Sequence, residues 1–100
     1  MLKISDRLIQ VAGLVPEGAR LADVGTDHGY VPIWLLTQGR ISSAIAMDVN
    51  KGPLLRAREN RDKYGLQEVM ELRLSDGLEK LRPGEADALL IAGMGGPLMI

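Results

Sequence analysis

The sequence predicts an α/β domain built around a parallel sheet. Three observations carry this prediction. Four apolar runs read as strands, at residues 20–24, 43–47, 69–74 and 88–92, and helical patterns separate the first three. Each run ends in glycine or a short polar group. The last run, Ala88-Leu89-Leu90-Ile91-Ala92, is apolar throughout, as a central parallel strand covered on both faces should be.

Taken in order, Ser5 is placed to cap a first helix running through Ala12, with Leu8, Ile9, Val11 and Ala12 on its apolar side. Gly13 and the Val15-Pro16-Glu17-Gly18 turn end it. Arg20 to Val24 is the first strand, and the Gly25–Gly29 turn follows it. A helix is expected from Val31 to Gln38, stopped by Gly39, with Pro32 in its first turn, where the backbone N–H has no intrahelical partner. Ser43 to Met47 is the second strand, and Asp48 stands at its carboxyl end. Asn50 is the candidate cap of the next helix, which starts at Pro53, runs to Tyr64 and stops at Gly65. Leu54, Leu55, Ala57 and Tyr64 are assigned to its core side, and Arg56, Arg58, Glu59, Arg61, Asp62 and Lys63 to solvent. Val69 to Leu74 alternates as a third strand, closed by Ser75-Asp76-Gly77. Leu78 to Leu81 reads as a helical turn and Pro83-Gly84 as a loop. After the fourth strand, Gly93 to Pro97 leads toward an expected helix start at Ile100. Strand four would then be an exposed apolar edge, which predicts either a longer chain or self-association covering that edge.

Composition narrows the classes. One hundred residues suit one domain with a modest core, and a net charge of −1 excludes a global field drawing the chain to nucleic acid or membrane. The absence of cysteine rules out disulfides and thiolate metal sites, and the single histidine makes no metal site alone. Met1 to Arg7 holds an acid and no apolar signal region, and the longest apolar stretch, Ala86 to Met94, is too short to span a bilayer. A cytoplasmic protein without membrane contact is expected.

In a parallel sheet the ligand lies over the carboxyl ends of the strands. Asp23 and Gly25 close the first strand, Asp48 the second, Asp76 the third, and Gly93 with Gly95 the fourth. Glycines at 25 and 29 would let backbone donors meet a carboxylate or phosphate at a helix start. Asp48 follows that turn by about 20 residues, the distance at which an acid meets ribose hydroxyls. Asp76 is a candidate acceptor for an adenine amino group, or a plain Asp-Gly turn with Gly77. Asp23 and Asp27 would repel a pyrophosphate, and Gly-x-Gly-x-x-Gly is absent, so the charges favour a cationic ligand end, an ammonium or sulfonium. His28 either orients ligand or satisfies a turn carbonyl, and Tyr30 either stacks a base or packs under the turn.

Asp23-Val24-Gly25-Thr26-Asp27-His28-Gly29-Tyr30 is similar to the first motif of S-adenosylmethionine-dependent class I methyltransferases, which usually carry glycine where Asp27 stands. The chain more closely resembles the bacterial tRNA (adenine-N1) methyltransferases that modify the adenine at position twenty-two. The matching runs are Asp23 to Pro32, Asp48-Val49-Asn50-Lys51-Gly52-Pro53, Arg56-Ala57-Arg58-Glu59-Asn60, Asp76-Gly77-Leu78 and Ile91-Ala92-Gly93-Met94-Gly95-Gly96. This resemblance covers essentially the whole chain. It implies a Rossmann-like class I methyltransferase fold in which residues 1–100 supply the N-terminal cofactor-binding part: four parallel strands, in the order 3-2-1-4, of a sheet left incomplete. Family members are longer, completing the sheet and adding a C-terminal helical region that grips tRNA.

The resemblance further implies S-adenosyl-L-methionine as cofactor, tRNA as partner and methyl transfer to N1 of adenine. The cofactor's amino-acid end would lie against Asp23, Gly25 and Gly29, with Thr26 and His28 in the same turn. Asp48 with Val49 would take the ribose, Ser75-Asp76-Gly77 the adenine, and Gly93-Met94-Gly95 would flank the methyl group. Asp27 is the candidate catalytic carboxylate, stabilising the cation formed on N1. Two other readings stay open: a dinucleotide-binding oxidoreductase domain, against which the missing third glycine argues, and a non-catalytic binding or dimerisation module.

Overall fold

The computed structural model describes residues 6–91 together with 98 and 99. The elements are α1 (Asp6–Gly13), β1 (Ala19–Val24), a turn of 3-10 helix (Asp27–Gly29), α2 (Tyr30–Thr37), β2 (Ile41–Asp48), α3 (Lys51–Lys63), β3 (Met70–Leu74), β4 (Ala88–Leu90) and β5 (Leu98–Met99). The sheet order is β3-β2-β1-β4-β5. The first four strands pair in parallel in the expected 3-2-1-4 order.

The end of the chain departs from expectation. Where a helix start was expected, Leu98 and Met99 form a strand antiparallel to β4, pairing with Leu90 and Leu89. An extended segment there satisfies outer backbone groups of β4 that would otherwise be left at an edge. The edge expected to drive self-association is therefore covered at these two positions. The expected cap Ser5 and the last strand residue Ala92 lie outside the described residues.

β1 forms the centre and is buried on both faces: apolar Leu21 and Ala22 and the carboxylate-bearing Asp23 are all buried, between β2 on one side and β4 on the other. α2 is nearly all apolar and buries Val31, Pro32, Ile33 and Leu35, with Pro32 in the first turn as its missing N–H requires. α3 is the opposite kind of helix, burying only Ala57 completely. Tyr64 packs against the core, but Leu55, assigned to the core from sequence, is 57% exposed. Two residues from Ala57 is about 200° around a helix, so the two side chains point to opposite sides. Asn50 makes no capping bond through its side chain. Its backbone N–H instead donates to Asp48 Oδ1 at 2.9 Å. No helix among the described residues is long and apolar enough to cross a membrane.

Candidate active site at the strand tips

An open cleft of about 680 Å³ lies over the carboxyl ends of the parallel strands. Val24 and Gly25 line it after β1, Asp48 and Val49 after β2, Ser75 through Leu78 after β3, and Ile91 after β4. Strand register brings these tips level: Val24 pairs with Met47, and Asp48 with Leu74. Asn50 and Pro53 at the start of α3 complete the wall.

The first turn is tied down by its own backbone. Gly25 and Thr26 both donate their N–H groups to the Met47 carbonyl, at 2.8 and 3.0 Å. Gly29 donates to the Thr26 carbonyl at 3.1 Å. These three N–H groups are thus engaged inside the protein. The glycines also serve conformation and packing: φ is 72° at Gly25 and 73° at Gly29. A β-carbon on Gly29 would stand 3.0 Å from both Ala57 Cβ and Met70 Cε. Gly29 is therefore the point where the turn presses on α3 and β3, away from the cleft.

Asp23 is 1% exposed, and its Oδ2 accepts a hydrogen bond from Thr26 Oγ1 at 2.9 Å. Both residues lie beneath the turn rather than along the cleft wall. Asp48 is half-buried on the wall itself; its Oδ1 takes the Asn50 N–H, while Oδ2 makes no hydrogen bond among the described residues. Asp48 also accepts the Ser75 N–H at its backbone oxygen, 2.9 Å away, which ties the β2 and β3 tips together. Ser75 is buried and shapes the loop: its hydroxyl donates to the Gly77 carbonyl at 2.9 Å and accepts the Lys80 N–H at 3.1 Å. Asp76 is exposed at the rim.

The wall carries two carboxylates, Asp48 and Asp76, and no lysine or arginine among the described residues. Val49 and Leu78, 58% and 46% exposed, add apolar surface. Such a cleft suits a ligand with a flat apolar ring, hydroxyl or amino donors, and positive charge. Leu78, Asn50, Pro53 and Ile91 were not singled out from sequence as site residues. Leu78 had a signal, following Asp76-Gly77 directly; Asn50 and Pro53 had one in the Asp48–Pro53 run, where they were read as the cap and start of a helix.

A brace behind this loop was also missed. Arg73 on β3 donates to both carboxylate oxygens of Glu85 at 2.8 Å, to Glu71 at 2.7 Å, and to the Lys80 carbonyl at 2.8 Å. The hydrogen bond from Arg73, helped by the Arg82 backbone N–H, lowers the Glu85 carboxyl to about 2. Neither residue belongs to a local motif, so no spacing rule could have paired them.

His28 has φ 70° and ψ 0°, the one non-glycine residue with positive φ among those described. Its carbonyl accepts a hydrogen bond from Asn60 Nδ2 on α3 at 2.9 Å. Its ring stacks on Tyr30, with centroids 5.2 Å apart and planes 10° from parallel. Asp27 contributes its backbone to the turn, while its side chain, and all of Gly93, Met94 and Gly95, lie outside the described residues. Arg61, assigned to solvent from sequence, lies one turn from Ala57 on the inner face of α3, where it is half-buried and donates to the Met70 carbonyl and to Asp62.

Comparison with known proteins gives a consistent picture. The family model of a methyltransferase domain matches residues 4–100. The chain is 46% identical over 98 residues to the tRNA (adenine(22)-N(1))-methyltransferase of Bacillus subtilis (strain 168), covering 98% of this chain and 41% of that protein. The crystal structure of the B. subtilis M1A22 tRNA methyltransferase TrmK is similar with a TM-score of 0.87 and 43% identity, over 91% of this chain and 39% of that one. M. capricolum TrmK, solved with S-adenosyl-homocysteine, gives a TM-score of 0.76 at 41% identity, over 82% of this chain and 36% of that one. Streptococcus pneumoniae Sp1610, solved in complex with S-adenosyl-L-methionine, gives 0.87 at 43% identity, over 91% and 43%. The chain therefore spans about two-fifths of the length of these relatives.

Proposed function

The chain belongs to the methyltransferase-domain family, and from that membership we propose that it is the cofactor-binding part of a tRNA (adenine(22)-N1)-methyltransferase using S-adenosyl-L-methionine. The observation that carries this reading is the 46% identity to the B. subtilis enzyme across 98 residues. The strand-tip cleft supplies the matching chemistry. Bound there, the cofactor supplies an electrophilic methyl group on a sulfonium sulfur.

Each residue then has a task. Asp48, with Oδ1 held by Asn50, turns its other oxygen to the ribose hydroxyls. Asp76 accepts from the adenine amino group, and Val49 and Leu78 flank the ring system. Because their N–H groups are occupied, Gly25, Thr26 and Gly29 contribute shape to the first turn rather than donors. Asp23 acts from beneath, through Thr26, to keep that shape. Gly93, Met94 and Gly95 flank the methyl group and admit the target base.

N1 of adenine has an in-plane lone pair, so the N–C bond forms as the C–S bond breaks and the sulfur leaves as a neutral thioether. The positive charge passes to the adenine ring. This step needs in-line positioning and no general base at attack, and the Asp27 carboxylate stabilises the charge that arrives. The partner is tRNA, and the place of action is the cytoplasm.

Calorimetry with S-adenosylhomocysteine tests the cofactor half of the reading, and methyl transfer to unmodified tRNA by the enzyme carrying this chain tests the rest. A folded chain that takes up no S-adenosylhomocysteine would rule the proposal out.

A further inference from the structure

The Asp27–Gly29 turn holds two successive residues in the left-handed region, His28 at φ 70° and Gly29 at φ 73°. Glycine tolerates this freely, but for histidine the left-handed region is strained. Such a conformation persists only where the surroundings over-determine it. Here one element does so. On one face of α3, Ala57 stands so near Gly29 that a β-carbon there would meet its Cβ at 3.0 Å, and one turn later Asn60 donates to the His28 carbonyl at 2.9 Å. The small side chain allows the approach, and the amide fixes the carbonyl that the left-handed bend has turned toward the helix. With the backbone so oriented, the half-buried imidazole lies flat on Tyr30 at 5.2 Å. The helix that makes this contact begins at the cleft wall, with Asn50 and Pro53.

We propose that Asn60 is a positioning residue for the methyl-transfer reaction: by holding the His28 carbonyl it sets the stacked His28–Tyr30 pair, in the turn that follows the cleft-lining Val24 and Gly25, to meet the target base. The functional half of this inference rests on the reading above; the structural half does not. Asn60 touches neither cofactor nor base and acts only through the turn.

The chain has a single histidine, so its imidazole C–H signals in a proton NMR spectrum are identified without further assignment. In the unsubstituted protein they carry the ring-current displacement caused by Tyr30, and Tyr30→Leu gives the undisplaced reference. Asn60→Asp removes the amide donor at nearly constant shape, and Asn60→Ala serves as a second variant should the carboxylate prevent folding. Glu59→Ala, at an exposed neighbouring position, is the control.

The expected result is that Asn60→Asp moves the His28 signals toward the Tyr30→Leu values while Glu59→Ala leaves them in place. In the enzyme carrying this chain, kcat/KM for unmodified tRNA falls at least about tenfold while the affinity for S-adenosylhomocysteine changes less than about threefold. His28 signals unmoved by either Asn60 variant would overturn the latch. Moved signals with unchanged methyl transfer would overturn the positioning role. Failure of the unsubstituted enzyme to methylate tRNA would sink the methyltransferase reading and the positioning role with it, while the NMR displacement still decides whether the latch exists.

Discussion

At the scale of single residues, Asp48 and Gly29 show two different kinds of dependence. Asp48 stands on the cleft wall with one oxygen engaged by Asn50. Asp48→Ala is expected to weaken S-adenosylhomocysteine binding by about 10- to 100-fold, the worth of charge-assisted hydrogen bonds, while thermal unfolding changes little; calorimetry and a melting curve on one sample check both. Gly29 is a matter of folding. A methyl group there meets Ala57 Cβ and Met70 Cε at 3.0 Å in a backbone with φ 73°. Gly29→Ala should destabilise the chain by about 2–4 kcal/mol, combining left-handed strain with overpacking, as a urea midpoint would report. The place of Asp48 and Asp76 at the strand ends was legible because each follows an apolar run closely. The glycines were legible as glycines, but the reason was not: their N–H groups serve the turn, and only the fold brings Ala57 and Met70 against residue 29.

At the scale of elements, the loop from Ser75 to Glu85 gives the cleft its Ser75 to Leu78 wall and is held by the Arg73–Glu85 brace and the Ser75 hydroxyl. The Glu85 carboxyl is lowered from 4.5 to about 2, first by the Arg73 hydrogen bond. A group lowered on folding stabilises the native state above its unfolded value and loses that contribution as pH falls through its folded value. The brace is therefore fully effective above about pH 4.5 and lost toward pH 2. Urea unfolding across that range should show stability rising with pH, and Glu85→Gln should flatten the rise. Equal slopes in both proteins would remove the brace from the account. α3 illustrates the limits of element reading: its extent and most of its solvated charges were predictable, but Leu55 was given to the core, half-buried Arg61 to solvent, and Asn60 no contact at all. The helix has only one fully buried residue, so hydrophobic spacing says little about which face turns inward.

At the scale of the molecule, stability is concentrated around the central strand. Leu21 is fully buried on β1, whereas Leu14, on the turn before it, is 65% exposed. Leu21→Ala is expected to cost about 2–5 kcal/mol, through lost burial and a residual cavity, and Leu14→Ala to stay within about 0.5 kcal/mol; denaturant midpoints distinguish them. The same central placement of β1 brings the tips of β2, β3 and β4 around one cleft, so a core substitution reaches the site only by loosening the sheet. Periodicity and punctuation determined, without any coordinates, that strands alternate with helices and that their carboxyl ends carry acids and glycines, because those signals are local to a few residues. The resemblance of those runs to a methyltransferase family was likewise available from the residues alone. Folding decided what depends on distant partners: the bond from Asn60 to His28, the Arg73–Glu85 pair, the seat of Gly29 on Ala57, and the return of Leu98 and Met99 along β4. Each joins residues far apart in the chain or at its end, and a sequence records which groups are present but not which of them a compact sheet brings within hydrogen-bonding reach.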